Sequence, residues 1–434
     1  MVWTIIDIIL LFISIVDYRK GNYVKTLVIM IFFFTNAFII GGAPLIKHAD
    51  WGLVLLAFTI FYRGRTVFKV KDETSKFIKL YISFFCFVFI YSLIIRADSI
   101  PNIITVLRYF FIPLAYFVFY GISNKELKKV ASIVIKLCVL SSILFVIQYF
   151  THLNLVNTYV NESVWAEKYR MQVVPPYIDC ALLYFLLIQK KNGICIFLIA
   201  LFSFVFFVAE NRTPVIVMGF QIFAYAFASK KNARKKIVTL LVCSLIAPFF
   251  YFMISSRSAS NSMAVDWEFI SDATGKEDYG SMASSSTFLF RVAHLAERTI
   301  YLLDNRDKLL FGVGAIHEDS PNNYLSFTVG TLAQDSHGNT TKMQINTGDI
   351  LWSPILLRFG IIGILLFLTF IILFIKKTYE VKDKDDIMMI AFLTSIAVIP
   401  SSFTSAGFTT TASLILCVYC FLYSKSLEKN SYDS

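Results

Sequence analysis

The side chains able to do chemistry are concentrated in residues 255–350, the one long polar interval of an otherwise apolar chain. It carries Arg291, His294 and Arg298, then Phe311-Gly312-Val313-Gly314, then His337-Gly338-Asn339, and it closes on Asp349 and Trp352 where the next apolar run begins. Guanidinium groups match phosphate oxygens two at a time, so an arginine-rich interval suits a phosphate or diphosphate ligand. Ser284-Ser285-Ser286-Thr287 supplies an N-cap for an amphipathic helix over about 284–303. Phe288, Val292, Leu295, Ala296, Thr299 and Leu303 form its expected apolar stripe. Arg291, His294, Arg298 and Tyr301 recur at i, i+3, i+7 and i+10, which places them on one face. That face reads either as solvated surface or as a row of donors for an anionic headgroup. Gly312-x-Gly314 marks a tight turn. The interval holds none of the seven cysteines, no P-loop, no dinucleotide fingerprint and no His/acid set with metal spacing. No metal and no cofactor are therefore expected.

The elements that must position these residues are membrane helices. Of the 434 residues 57% are hydrophobic and only 16% charged, with a mean hydropathy of +0.67. Soluble domains carry about 25% charged residues. Apolar runs long enough to cross a bilayer recur along the chain, which predicts an all-α polytopic membrane protein with about 12–14 transmembrane helices. Residues 1–254 read as ten such helices, 255–350 as one large loop, and 351–434 as the C-terminal helices. Alternate short loops hold 25 Lys and Arg, whereas the opposite ones hold only Lys47, Arg96, Lys168, Arg170 and Arg212. The basic side is then cytoplasmic and the large loop extracytoplasmic. The net charge of +11 is mostly spent on this asymmetry, which speaks for a lipid bilayer and against nucleic acid as a partner.

Ionisable residues inside spans are costly and usually functional. Asp7, Arg108, Asp179 and Arg358 all fall in the outer parts of their runs. Arg212 stands at an outer helix mouth, in Glu210-Asn211-Arg212-Thr213-Pro214. Their shared depth, close to that of lipid headgroups, again suits a phosphate-bearing ligand.

Three stretches carry a resemblance. Asn211-Arg212-Thr213-Pro214-Val215 resembles a Ser-Arg-Thr box that opens an outer-face helix. The run from Arg291 to Phe311-Gly312-Val313-Gly314, and the run from Asp349-Ile350-Leu351-Trp352 to Gly360-Ile361-Ile362-Gly363, follow in the matching order. Together they resemble the bacterial O-antigen polymerase (Wzy-type) and O-antigen ligase superfamily over about residues 200–380. The resemblance implies a C-type, metal-independent glycosyltransferase whose donor is a glycan on undecaprenyl diphosphate. It also implies a chain-length regulator and a flippase as working partners, and the bacterial cytoplasmic membrane as location. Ligases carry His-Asn-x-x-Leu before the helix that follows the loop; here Thr347-Gly348-Asp349-Ile350-Leu351 stands there, which favours the polymerase. On this reading Arg212, Arg291 and Arg298, then Arg108 and Arg358, hold the diphosphate. Asp349, then His337, then Glu210, draws the proton from the acceptor hydroxyl, and His294, Tyr301, Asp179 and Trp352 contact substrate. A ligase, or a flippase of lipid-linked oligosaccharide, remains the alternative; a flippase predicts internal repeats and no long loop.

Overall fold

The C-terminal helix shows how the bundle is built. It is apolar on every side, the pattern of a core helix rather than a surface one, and every residue from Cys417 to Ser424 is buried. The computed structural model describes residues 2–38, 46–95, 98–158, 160–162, 169–171, 173–189, 192–209, 212–228, 287–318, 320, 325–334 and 340–430. Glu210, His337, the apolar run 237–254 and loop residues 255–286 lie outside them.

The described helices are α1 Val2–Arg19, α2 Tyr23–Thr35, α3 His48–Arg63, α4 Glu73–Ile95, α5 Ile100–Leu107, α6 Ala115–Val118, α7 Asn124–Thr151, α8 Ile178–Leu183, α9 Gly193–Ala209, α10 Arg212–Ala228, α11 Thr287–Asp304, α12 Trp352–Val381, α13 Asp386–Ser402 and α14 Thr411–Asn430. Two small antiparallel hairpins, β1 Val160–Glu162 with β2 Tyr169–Met171 and β3 Thr331–Gln334 with β4 Thr340–Met343, sit outside the bundle's helices. Among the described residues four stretches are long and apolar enough to cross a membrane: Glu73–Ile95, Ile100–Val118, Asn124–Thr151 and Trp352–Val381. The second is α5 and α6 joined through a 3-10 turn that contains Pro113. The helix α14 packs between α2, that turn and α12, within one apolar core that also takes in α4 and α7. A second core lies among α7, α8, α9, α10 and α13. Cys417 and Cys420 are plain buried side chains of α14.

Several helices stop short. The 13 residues of α2 rise only about 20 Å, less than a hydrocarbon core of about 30 Å. Asn36 ends α2 in the left-handed conformation. The irregular backbone beyond it finds protein partners, as it must where no water is available. Asn157 N–H donates to Ala37 O at 2.9 Å and Phe38 bridges to Val156, while Thr411 Oγ1 takes up the Phe34 carbonyl in the last turn of α2 at 2.5 Å.

Charged pairs tie several helix ends together. Lys376 and Lys377 pair with Glu73 of α4 at 2.6 and 3.2 Å, and Lys377 also lies near Glu380 and Glu428. Lys128 of α7 pairs with Asp385 before α13 at 2.7 Å.

The run expected as a single span after the loop is broken. Gly360 leaves the helix at φ 62° and ψ −161°, and divides α12. The break frees the carbonyls of Leu357 and Arg358 and the N–H groups of Ile361 and Ile362. All four are taken up by the Gly-x-Gly turn: Val313 and Gly314 N–H donate to Leu357 and Arg358 O at 2.8 and 3.0 Å, and Ile361 and Ile362 N–H donate to Leu309 and Leu310 O at 3.0 and 3.2 Å. A Cβ on Gly312 would stand 2.4 Å from Arg358 carbonyl atoms, and one on Gly360 would stand 2.4 Å from Leu310 O. Both glycines have positive φ, so two independent reasons exclude any other residue. The turn is further seated on α4, where Ser92 Oγ accepts from Ala315 N–H at 2.8 Å and Tyr91 donates to Gly312 O at 3.3 Å.

Candidate functional site

The helix expected over 284–303 is α11, Thr287–Asp304, but it is turned the other way from the expected stripe. Phe288 and Leu303 are about half exposed, while His294 and Arg298 are fully buried beside Leu289, Ala293 and Leu302. The polar row faces inward because the segments it packs against are irregular and full of unpaired backbone groups. Arg298 Nη2 donates to Val329 O and Gln344 O at 2.5 and 2.6 Å, and Nη1 to Glu297 Oε2 and His294 O at 2.8 and 3.4 Å. Its guanidinium stacks 4.2 Å over the Phe327 ring. Burial lowers its pKa to about 10, opposed by the charges of Glu297 and Glu318, so it stays cationic at neutral pH. Both terminal nitrogens are committed to the protein, and none is free for a diphosphate. Arg298 is thus corrected from ligand contact to clasp of the loop.

Two carboxylates that no motif singled out complete this knot. Glu297 accepts from Thr328 and Val329 N–H at 2.5 and 3.0 Å. Glu318 accepts from Gln344, Ile345 and Asn346 N–H at 3.0, 2.7 and 2.6 Å.

One turn from the N-terminus of α11 the character changes. Arg291 Nη2 donates to Thr404 O at 3.3 Å and lies 3.8 Å from Asp349 Oδ1, while Nη1 has no partner among the described residues. Asp349 is 42% exposed and Arg291 18%. Charge-assisted N–H···O bonds close to about 2.7–2.9 Å, so this pair is apposed but not closed. The strand of chain bearing Asp349 is held by α13 and the turn after it: Leu351 N–H donates to Ser402 O, Ala406 N–H to Gly348 O, and Trp352 Nε1 to Ser402 Oγ, at 3.0, 2.9 and 2.9 Å. The Trp352 ring lies 6.3 Å from that of Phe403, which is exposed. A guanidinium, a carboxylate and two aromatic rings therefore share one partly open seam.

His294 sits behind it. Ser353 Oγ donates to His294 O at 3.2 Å and faces Nδ1 at 2.6 Å. The 2.6 Å contact joins Ser353 Oγ to Nδ1 in either ring tautomer, and Nε2 is buried without a partner among the described residues. Burial first, and the Arg298 charge second, push its pKa down to about 3. His294 is therefore neutral and fully buried, whereas the expected row of headgroup donors would face outward.

The other expected residues are placed separately. Arg108 lies 3.3 Å from Asp50, stacked over the Tyr109 ring, and Tyr109 also donates to Asp50 at 3.0 Å. Arg358 spends Nε and Nη2 on Ile316 O at 3.2 and 3.1 Å, clamping the segment after the Gly-x-Gly turn. Tyr301 accepts from Lys308 Nζ at 2.8 Å. Asp179 lies in the first turn of α8. Asp7 is fully buried against His48, with both carboxylate oxygens 2.8 Å from Nδ1. Arg212 begins α10, and its side chain lies outside the described residues. Among the described residues no hydrogen bond or ion pair joins Arg108, Asp179 or Arg358 to the Arg291–Asp349 seam. No protein-family model and no curated protein matches this chain.

Proposed function

We propose that the protein joins glycan units carried on undecaprenyl diphosphate, as a membrane glycosyltransferase that polymerises oligosaccharide repeats at the outer face of the bacterial cytoplasmic membrane. The observation that carries this reading is the open apposition of Arg291 and Asp349 at the seam of α11, α12 and α13. When an acceptor hydroxyl attacks the donor's anomeric carbon, the sugar–phosphate bond breaks and charge grows on the diphosphate. Nη1 of Arg291, which has no partner among the described residues, can meet that charge, and a guanidinium so placed stabilises the transition state more than the ground state. As Arg291 turns to the phosphate, Asp349 is released to take the hydroxyl proton. Trp352 and Phe403 offer apolar ring faces of the kind that pack against sugar rings. The large polar loop of about 255–350 and the absence of any repeat between chain halves speak for this reading over a flippase.

The test is product length on a gel with purified protein and lipid-linked repeat units. Arg291→Ala is expected to lower the rate by roughly 10²–10³-fold with no loss of thermal stability, and Arg291→Lys to restore little because the fork is gone. Asp349→Asn is expected to leave single-repeat product. Full-length polymer from both Ala and Asn variants would remove this site from the chemistry.

A further inference from the structure

Between α7 and α13 the bundle is not filled. The two helices barely touch along their lengths, and Lys128 and Asp385 tie them at one end at 2.7 Å. The space between them is a cavity of about 100 Å³, walled by α2, α7, α13, α14 and the segment 177–184 that includes α8. Ala131, Val134 and Ile135 of α7 and Ile387 and Thr394 of α13 line it and remain partly exposed, so it is open rather than sealed. A second cavity of about 20 Å³ continues from it, with Ile31, Val134, Cys138 and Tyr177 as common walls, and reaches Ser141 and Phe38. From Ala131 to Ser141 the two extend about 15 Å along α7.

The walls of the larger cavity offer nothing to a polar ligand. Tyr177 and Tyr419 spend their hydroxyl protons on Ala412 O and Leu127 O at 2.6 and 3.0 Å, and Thr394 spends its own on Ile390 O at 3.0 Å. Cys138 turns its thiol to Pro176 O at 3.8 Å, Cys180 Sγ meets Thr394 Oγ1 at 3.3 Å, and the Tyr184 oxygen accepts from Gln189 Nε2 at 2.5 Å. Cys420 is buried, and a buried thiol packs as a small hydrophobe. Protein interiors hold few voids larger than a water molecule. A water needs several polar partners, whereas an apolar cavity of this order stays dry and takes up small hydrocarbons.

We propose that this passage takes one hydrocarbon chain of a membrane lipid. The surroundings supply it: α7 is among the stretches long and apolar enough to cross a membrane, and hydrocarbon is the solvent there. A narrow space running along one helix suits a chain and not a compact ligand, and its volume admits a segment of one chain, not a whole lipid. An acyl chain of a bilayer phospholipid and a prenyl chain of a lipid carrier present the same chemistry to these walls. Either would be held whether or not the protein is a glycosyltransferase.

The experiment uses full-length protein in vesicles of phosphatidylethanolamine and phosphatidylglycerol, with a small fraction of one of two photoreactive lipids. One is a phospholipid with a diazirine in an acyl chain, the other undecaprenyl phosphate with a diazirine in its prenyl chain. After irradiation, adducts are mapped by peptide mass spectrometry. Adducts are expected on Val134, Cys138 or Thr394 with at least one lipid, besides those on Leu140 and Ile147, which are exposed on α7. Ala131→Phe fills the cavity. It is expected to abolish the wall adducts, to keep those on Leu140 and Ile147, and to melt no lower than the wild type, because filling an empty space adds contacts. Wall adducts from the phospholipid alone name an acyl chain as the occupant; wall adducts from undecaprenyl phosphate in the same phospholipid excess name a prenyl chain. Adducts confined to exposed residues with both lipids would overturn the proposal, as would wall adducts that Ala131→Phe leaves unchanged. If Ala131→Phe does not fold, Ala391→Leu, which fills the same space from α13, is read in its place by the same outcomes.

Discussion

In the bundle, α14 satisfies its backbone internally and buries side chains from Cys417 to Ser424 that ask for little else. In the loop, residues 325–329 and 344–346 form no helix, and their backbone groups are paired by side chains: Glu297, Glu318, Gln344 and Arg298. The first region tolerates exchange of one apolar residue for another of similar size. The second depends on individual charged atoms, because each that is lost leaves several buried partners unpaired. Along α11 itself the same contrast recurs within two turns: both terminal nitrogens of Arg298 are bonded, whereas among the described residues only Nη2 of Arg291 is.

The largest effect is expected where the two regions interlock. Gly360→Ala or Gly312→Ala forces a Cβ against backbone at 2.4 Å and strains a positive φ. Each change should cost on the order of 3 kcal/mol or more, read as loss of a monodisperse peak in detergent; a Gly360→Ala protein that melts like the wild type would show that the interlock does not matter. Next comes Arg298→Ala, which removes the cation beside Glu297 and leaves the carbonyls of Val329 and Gln344 without their donor. Breaking such a buried pair costs about 3–5 kcal/mol, and Arg298→Lys should recover little of it because a single ammonium cannot replace the fork. Melting temperatures of the two variants, set beside the unchanged value expected for Arg291→Ala, measure the contrast along α11 directly.

The smallest effect is on pH. The folded pKa of His294, about 3, lies below its ordinary 6.5, so the unfolded chain binds the extra proton first. Its contribution to stability is complete above pH 6.5 and falls as the pH drops from there toward 3. The loss should reach about 2 kcal/mol at pH 5. His294→Gln should flatten the difference in melting temperature between pH 7 and pH 5; an unchanged slope would place the acid sensitivity elsewhere.

The helical class, most helix positions and the existence of α11 were legible because they depend on runs of apolar residues and on an N-cap. The orientation of α11 was not. Its polar row was read as facing out, since periodicity alone assumes that apolar residues point inward, and the sequence does not reveal that an irregular partner needs Arg298 and His294. The meeting of Arg291 with Asp349 was legible only as two separate candidates 58 positions apart. Glu297 and Glu318 carried no spacing signal, because each accepts from backbone N–H groups far along the chain that tertiary folding brings to it. Gly312-x-Gly314 was legible as a turn but not as the mate of Gly360, since the demand for that pairing arises from a break in α12 that composition does not announce.

That break also sets an order of assembly. A segment of α12 with four unpaired backbone groups around Gly360 is a poor candidate to enter hydrocarbon alone. Its partners, Leu309 to Gly314, are made earlier in synthesis and must already stand at the membrane face where α12 begins. The two glycines thus make the seating of the loop turn and the completion of α12 a single event.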